Sequence, residues 1–355
     1  MKLSMVFAGG APIKVQRDLA VAAEKAGLYR LWTTESLGSD GLLRAMAIGL
    51  ATSQIQIGTG IAYTFPRLPL HAAGAVAEVA DALGGRFTLG LGAGTKGIRG
   101  RYGIEEDHPA PRFAEYVSLL RGALTSSGGY QFEGRFYRAT APSLHFHAGQ
   151  SIRNRVGIYG SGVNRIILET TAQHCDGVAL HPLAGIRPYF DEVTLPALER
   201  GSARAQREDK LPTALWYICS VHDDAEVALQ RAATILAFYF STPSYATPLQ
   251  GTQWEPVGAR LREAFREAGY PTPWHELARL VPEAMAEDIC LVGTANDVTH
   301  KIAGLEQRLA RMGVDELVLE PTSHGGLAEF TESCEGIIAA AAGGARPRET
   351  VGAPT

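Results

Sequence analysis

Residues 55–92 read IQIGTGIAYTFPRLPLHAAGAVAEVADALGGRFTLGLG, and their reading decides the fold. Ile55–Ala62 is a short apolar run of strand length. Pro69–Leu83 has helix character, opens on proline and stops at Gly84-Gly85. Phe87–Gly92 is a second short apolar run. Strand, helix and strand in that order form a βαβ unit, whose strands run parallel with the helix packed on one face.

The same alternation continues in both directions. Toward the N-terminus, Leu3–Ala8 reads as a strand and Ile13–Ala26 as a helix. Val15, Leu19, Ala22 and Ala26 line one helix face, and Gly27 ends it. Arg30–Glu35 follows as a strand and Leu42–Ala51 as a helix. Beyond residue 92 come a helix over Arg112–Leu124, a strand at Arg155–Tyr159 and a helix over Val163–His174. Next are a strand at Gly177–Leu180, a helix near Tyr189–Arg200, a strand at Thr213–Val221 and a helix from Ala225. The last strand, Glu316–Glu320, follows a helix that carries Val298, Ile302, Leu305, Leu309 and Met312 on one face. A closing helix covers Leu327–Ala341.

Eight strand–helix units in a chain of 355 residues favour an α/β fold of the closed (β/α)8 TIM-barrel type over an open doubly wound sheet. One domain is expected over residues 1–342. Two insertions interrupt it, one after the fourth strand at about 128–146 and one after the seventh at about 240–286. The first has the turn signals of a hairpin. The second is rich in proline and aromatic residues, including Trp254, Tyr270 and Trp274, and it lies at the active-site face of a barrel. Residues 343–355 read as a flexible tail.

Composition narrows the function. With 46% hydrophobic and 20% charged residues, this is the profile of a globular protein. A formal net charge of −4 gives no basic patch for nucleic acid or a membrane surface. No apolar stretch is long enough to span a bilayer, and the apolar run at Leu3–Ala8 is too short for a signal peptide. Cys175, Cys219, Cys290 and Cys334 are widely spaced and read as free thiols in a reducing compartment, so a cytoplasmic location is expected.

Several spaced motifs carry a family resemblance. They are Ala26-Gly27-Leu28-Tyr29-Arg30-Leu31-Trp32-Thr33-Thr34-Glu35, Ile57-Gly58-Thr59-Gly60-Ile61 and Asp81-Ala82-Leu83-Gly84-Gly85-Arg86-Phe87-Thr88-Leu89-Gly90-Leu91-Gly92. Gly160-Ser161-Gly162, Ala172-Gln173-His174-Cys175-Asp176-Gly177-Val178 and Met312-Gly313-Val314-Asp315-Glu316-Leu317 follow. Together they resemble the luciferase-like monooxygenase superfamily, including its branch that uses the deazaflavin coenzyme F420. The resemblance runs from Leu3 to about Ala340.

It implies a reduced flavin or deazaflavin at the C-terminal ends of the strands. It implies a catalytic or ring-contacting role for Glu35, and a cis Gly60–Ile61 peptide, flanked by Ala62, that presses on the ring. It implies a cofactor-phosphate loop at Gly160, Ser161 and Gly162, flanked by Tyr159 and Val163. Relatives often carry histidine after the acidic residue; here that position is Ser36. A helix N-terminus with glycines independently makes an anion site, although a short Gly-x-Gly is weak on its own. Thr95 and Lys96 open a basic loop that reads equally well as a cofactor contact or as solvated surface.

His181, Tyr63 and His324 lie at or just past strand ends and are acid–base candidates, against the plainer reading of hydrogen-bonded loop residues. His145 and His147 alternate on a hairpin strand without an acidic partner, so no metal site is expected. The expected activity is an F420-dependent oxidoreductase that transfers hydride to or from an organic, small-molecule or peptide-like substrate, in specialised metabolism. The alternatives are an FMNH2-dependent monooxygenase using O2, a flavin-binding barrel without turnover, and a non-redox barrel enzyme. The resemblance further implies a homodimer.

Overall fold

The computed structural model describes residues 1–7, 10–105, 107–269 and 271–343. Ala8, at the end of the first expected strand, Tyr270, and all but the first residue of the expected tail lie outside the described residues.

Eight parallel strands close into a barrel: β1 (Lys2–Phe7), β2 (Arg30–Thr33), β3 (Gln56–Thr59), β4 (Phe87–Gly92), β5 (Gly157–Gly160), β6 (Gly177–Leu180), β7 (Thr213–Val221) and β8 (Glu316–Pro321). Each pairs with its neighbour in chain order, and β8 returns to β1 with Lys2 opposite Glu316 and Met5 opposite Leu319. The eight expected strands are thus the eight barrel strands, and helices ring them as a (β/α)8 barrel requires.

Strand residues alternate between the helix layer and the barrel axis. Met5, Leu31, Ile57, Leu89, Leu91, Ile158, Val178, Leu180, Leu215, Leu317 and Leu319 join the shell core beneath the helices. Val6, Trp32, Ala179, Ala214, Trp216 and Val318 form a separate cluster inside the barrel, with Tyr159 packed against it. The indoles of Trp32 and Trp216 lie 5.0 Å apart and fill the axis. Beneath them Arg30 pairs with Glu316 at 3.1 Å, and the Trp32 indole N–H donates to the same carboxylate at 2.8 Å. Both charged side chains are buried, and the Arg30 Nη1 contact is ionic without hydrogen-bond geometry, so each charge is compensated by the other.

Large rings inside a narrow barrel need small residues opposite. A Cβ on Gly58 would stand 2.7 Å from the Trp32 ring, and one on Gly60 would stand 2.6 Å from Trp216. A Cβ on Gly90 would come within 1.8 Å of the Thr59 carbonyl oxygen.

Three features differ from the sequence reading. The expected strand over 55–62 is broken: β3 ends at Thr59, the Gly60–Ile61 peptide is cis, and Ala62–Tyr63 pairs separately with Leu91 and Gly92. The helix expected near Tyr189–Arg200 starts as a wide π-type turn at Phe190–Thr194 before regular helix over Leu195–Arg204, because Pro196 brings no N–H to the first turn. A three-residue strand, Leu291–Gly293, adds to the outer end of β7 and is too short to show a period.

The first insertion contains a hairpin, Tyr130–Glu133 with Arg138–Ala141. The second folds mainly into helices Glu255–Ala268 and Glu283–Ile289, which pack with the helix Ala225–Ser241 into a second core cluster that includes Ile218 of β7. No described helix is long and apolar enough to cross a membrane.

Gly90→Ala and Gly58→Ala separate the two kinds of crowding. Gly58→Ala meets a ring that can shift and is expected to cost about 1–3 kcal/mol. Gly90→Ala meets backbone and is expected to cost more, read as the larger drop in urea midpoint; equal losses would mean the Thr59 strand yields as easily as the indole.

Candidate active site

Catalytic groups of a (β/α)8 barrel gather at the C-terminal ends of the strands. Here that mouth has two unlike walls.

The first wall is built from the ends of β2, β3 and β4. Glu35 follows β2 and is buried. Arg67 reaches back to it across the loop after β3, donating from Nη1 to Oε1 at 2.9 Å and from Nη2 to Oε2 at 2.8 Å. The same Nη2 meets Asp40 at 2.5 Å. Arg67 is therefore held charged by two carboxylates, a bidentate arrangement of the strong kind. Burial raises the Glu35 pKa above its ordinary value while the Arg67 contacts pull the other way. With both oxygens engaged, Glu35 acts as a structural anion that fixes the loop. Its N–H donates to the Ile61 carbonyl at 3.2 Å, and the Gly60 N–H donates to the Thr33 carbonyl at 2.7 Å. The cis Gly60–Ile61 peptide is thereby pinned to β2 from both sides.

Tyr63 lies just beyond, stacked on Phe65 at 5.0 Å. Burial, reinforced by the Glu35 charge, pushes its phenol up to about 12, so Tyr63 is a hydrogen-bond donor at any working pH. Ser36 bonds the Ser39 hydroxyl at 2.8 Å, and its carbonyl accepts from Tyr102 at 3.3 Å. After β4, Gly94 takes φ +64, and a Cβ there would press on Phe65 at 2.8 Å. Thr95 caps the short helix Lys96–Arg101, Lys96 is exposed, and buried Arg99 donates to the Ala93 and Gly94 carbonyls at 3.0 and 2.7 Å.

After β5, Gly160, Ser161, Gly162 and Val163 lead into the helix Arg165–His174. Its N-cap, Asn164, makes no side-chain capping bond, and the Gly162 and Val163 N–H groups have no backbone partner among the described residues. Tyr189 pins the loop by donating to the Val163 carbonyl at 2.9 Å. Uncapped N–H groups at a helix N-terminus suit an anion. Tyr159, grouped with this loop in the sequence, points the other way: its ring enters the barrel, 5.9 Å from Trp32 and under the Arg30 guanidinium.

The second wall comes from β6, β8 and the helix after β7. His181 ends β6 with its ring stacked on Tyr245 and edge-on to Tyr239, both at 4.8 Å. Its Nδ1 accepts the Leu183 N–H at 3.3 Å, which leaves the proton on Nε2. Burial depresses its pKa to about 3, so it is neutral. Glu320 is one layer above Val318 on the axial face of β8. Its Oε1 accepts from the Tyr239 hydroxyl at 2.5 Å, while Oε2 is buried without a partner. Burial, only partly opposed by Tyr239, pushes Glu320 up to about 7. His324 packs on Phe238 at 4.7 Å and faces Trp274, with Nδ1 buried and unpartnered and its pKa depressed by burial to about 4. Tyr245 is close enough to Tyr63 for ionisation of Tyr63 to raise it further, which joins the two walls.

Arg67, Asp40, Tyr239, Tyr245 and Glu320 escaped the sequence reading. Glu320 had a usable signal, since Glu316, Val318 and Glu320 share one face of a strand and the last stands at its C-terminal end. The Arg67 and Tyr239 contacts, spanning loop and insertion, had none.

A sequence profile of luciferase-like monooxygenases matches residues 3–312. An uncharacterised protein of Mycobacterium tuberculosis is 30% identical over 303 residues, covering 82% of this chain and 86% of that protein. The 5,10-methylenetetrahydromethanopterin reductase of Archaeoglobus fulgidus is 27% identical over 83% of this chain and 86% of its own. The structure of the coenzyme F420-dependent tetrahydromethanopterin reductase from Methanopyrus kandleri superposes with a TM-score of 0.77 at 21% identity, covering 95% and 97% of the two chains, and shows the shared fold.

Arg67→Met tests the ionic wall. It strands Glu35 as a buried carboxylate and is expected to cost about 3 kcal/mol at pH 8. Because the Glu35 pKa is raised in the folded state, that loss should shrink toward pH 5 as the group takes up a proton. Urea unfolding at both pH values reads it; a pH-independent loss would show that the packing of Arg67, and not its charge, matters.

Proposed function

The chain is an oxidoreductase of the luciferase-like monooxygenase family, and on that premise we propose that it transfers hydride between reduced coenzyme F420 and an organic substrate at the barrel mouth. The observation that carries this reading is the Gly60–Ile61 segment, held to the end of β2 by two backbone hydrogen bonds, together with the uncapped helix N-terminus after β5. The first offers a fixed stretch of backbone at the strand ends against which a flat ring system can rest. The second offers N–H groups for the phosphate that such cofactors carry.

On this reading Gly60, Ile61, Ala62 and Tyr63 support the ring, with Glu35 and Ser36 behind them. Ser161, Gly162 and Val163 hold the phosphate, with Gly160 as their hinge, and Thr95 and Lys96 line the path of an acidic tail. When bound, the deazaflavin supplies the hydride; the barrel places its ring carbon against the substrate and excludes water. Arg67 keeps Glu35 ionised, so the first wall is an electrostatic support and not a proton source. The similarity to a putative coenzyme F420-dependent oxidoreductase of Mycobacterium tuberculosis, 24% identical over 85% of this chain, supports deazaflavin over FMN.

Fluorescence titration of the purified protein with F420 and with FMN, each oxidised and reduced, tests this. F420 is expected to bind at least tenfold tighter. Tighter FMN binding with oxygen-dependent product formation would move the enzyme to the monooxygenase reading. Asn164→Asp places a carboxylate at the proposed phosphate site while remaining a good N-cap. It should weaken F420 about tenfold, roughly 1.4 kcal/mol, without lowering the melting temperature. Unchanged affinity would remove the phosphate from that loop.

A further inference from the structure

Ser36 leaves the first wall without an acid, and Glu35 is committed to Arg67. Hydride transfer to a C=O or C=N group still requires a proton on the heteroatom. The second wall carries a carboxyl group, Glu320, with one oxygen free of hydrogen bonds.

Three observations meet at Glu320. Strand alternation aims it along the barrel axis above Val318, on the face that Glu316 occupies at the floor. Tyr239, at the end of the helix Ala225–Ser241, fixes one carboxyl oxygen by donating to Oε1. Oε2 is buried and makes no hydrogen bond. A buried polar atom without a partner costs about 1–3 kcal/mol, so its persistence asks for an occupant that supplies one. The other titratable groups that face this carboxyl are Tyr239, Tyr245 and Cys290, with His181 stacked behind the two tyrosines; none is a cation. Phe238, Trp274 and the His324 ring extend the same wall as an aromatic surface.

We propose that Glu320 is the catalytic acid–base residue of this enzyme, oriented by Tyr239, and that its Oε2 exchanges a proton with the oxygen or nitrogen of a ketone or imine borne on an aromatic skeleton. The proposal rests on the hydride-transfer reading above. In the reductive direction the bound deazaflavin would supply a hydride to the substrate carbon and would be left oxidised. The π electrons of the C=O bond move onto oxygen, and oxygen takes the proton from Oε2. Glu320 is left as a carboxylate whose charge is met by the Tyr239 hydroxyl, and its proton is replaced from solvent before the next turnover. In the reverse direction the carboxylate takes the alcohol proton, and the hydride that leaves carbon would go to the oxidised deazaflavin. Burial supplies the matching proton affinity: Glu320 is poised at about 7, where a group can both give and accept a proton. His181 and His324, depressed by burial, are neutral partners that keep the wall apolar.

The test is infrared spectroscopy of the wild-type protein from pH 5 to 9, alone and with acetophenone as a ketone probe. The C=O stretch of a protonated carboxyl should vanish as pH rises through neutrality and should be missing in Glu320→Gln. Acetophenone should shift that band at pH 6, because Oε2–H then donates to the ketone. Tyr239→Phe should move the titration to higher pH, since the hydroxyl stabilises the carboxylate. Glu320→Gln should bind F420 as the wild type does, and should slow any ketone reduction the wild type performs at least about a hundredfold.

A carboxyl band that is absent at pH 6, or that ignores acetophenone, would overturn the proposal, as would a Glu320→Gln enzyme with wild-type turnover and pH profile. Failure of the wild type to bind F420 would instead sink the cofactor assignment, and the infrared titration would still decide the state of Glu320.

Discussion

Two indole rings fill the axis of this barrel, and everything above them depends on that. Trp32 is fully buried and Trp216 nearly so, their centroids 5.0 Å apart. Each removes about 150–250 Å2 from water, worth roughly 4–6 kcal/mol before the entropy of ordering is subtracted. The rings fit because Gly58, Gly60 and Gly90 leave out side chains where the indoles and the Thr59 backbone come close. They also need the buried Arg30–Glu316 pair beneath, which satisfies the Trp32 N–H. Above these rings, at the strand ends, β2, β3, β6 and β8 present Glu35, Gly60–Ile61, His181 and Glu320.

The two walls of that mouth differ in their electrostatics. The first is ionic and closed on itself, with Arg67 between Glu35 and Asp40. Its charges compensate one another, so it can support a flat ring without competing for protons. The second is apolar and aromatic, and a lone carboxyl in such surroundings favours its protonated form. The asymmetry arises from topology. The first wall is made by short loops after β2 and β3, whereas the second is overlaid by the insertion after β7, whose Tyr245 packs on His181 and Tyr239 and whose Trp274 packs on His324.

Much of the fold was legible because each βαβ unit is a local pattern. Short apolar runs, helix faces and glycine stops recur along the chain, and all eight runs became barrel strands. What periodicity could not supply was phase. Strands buried on both faces show no apolar–polar alternation, so nothing in Arg155–Tyr159 says that Tyr159 turns toward the axis while Ile158 faces the helices. The positions of Glu35, Tyr63, Gly160–Val163 and His181 were readable as strand ends, and the Gly60–Ile61 peptide through family resemblance. Arg67 and Tyr239 were not, because each acquires its role from a partner far away in sequence: Glu35 is 32 residues from Arg67, and Glu320 is 81 from Tyr239. Tertiary contacts of that separation leave no local trace.

The most direct test of the account is a crystal structure of the protein with F420 bound. The account expects the deazaflavin ring at the mouth against Gly60, Ile61 and Tyr63, its phosphate on the Gly162 and Val163 amides, and the face remote from Gly60–Ile61 turned toward Glu320. A ring bound away from the cis peptide, or a phosphate held elsewhere, would contradict it.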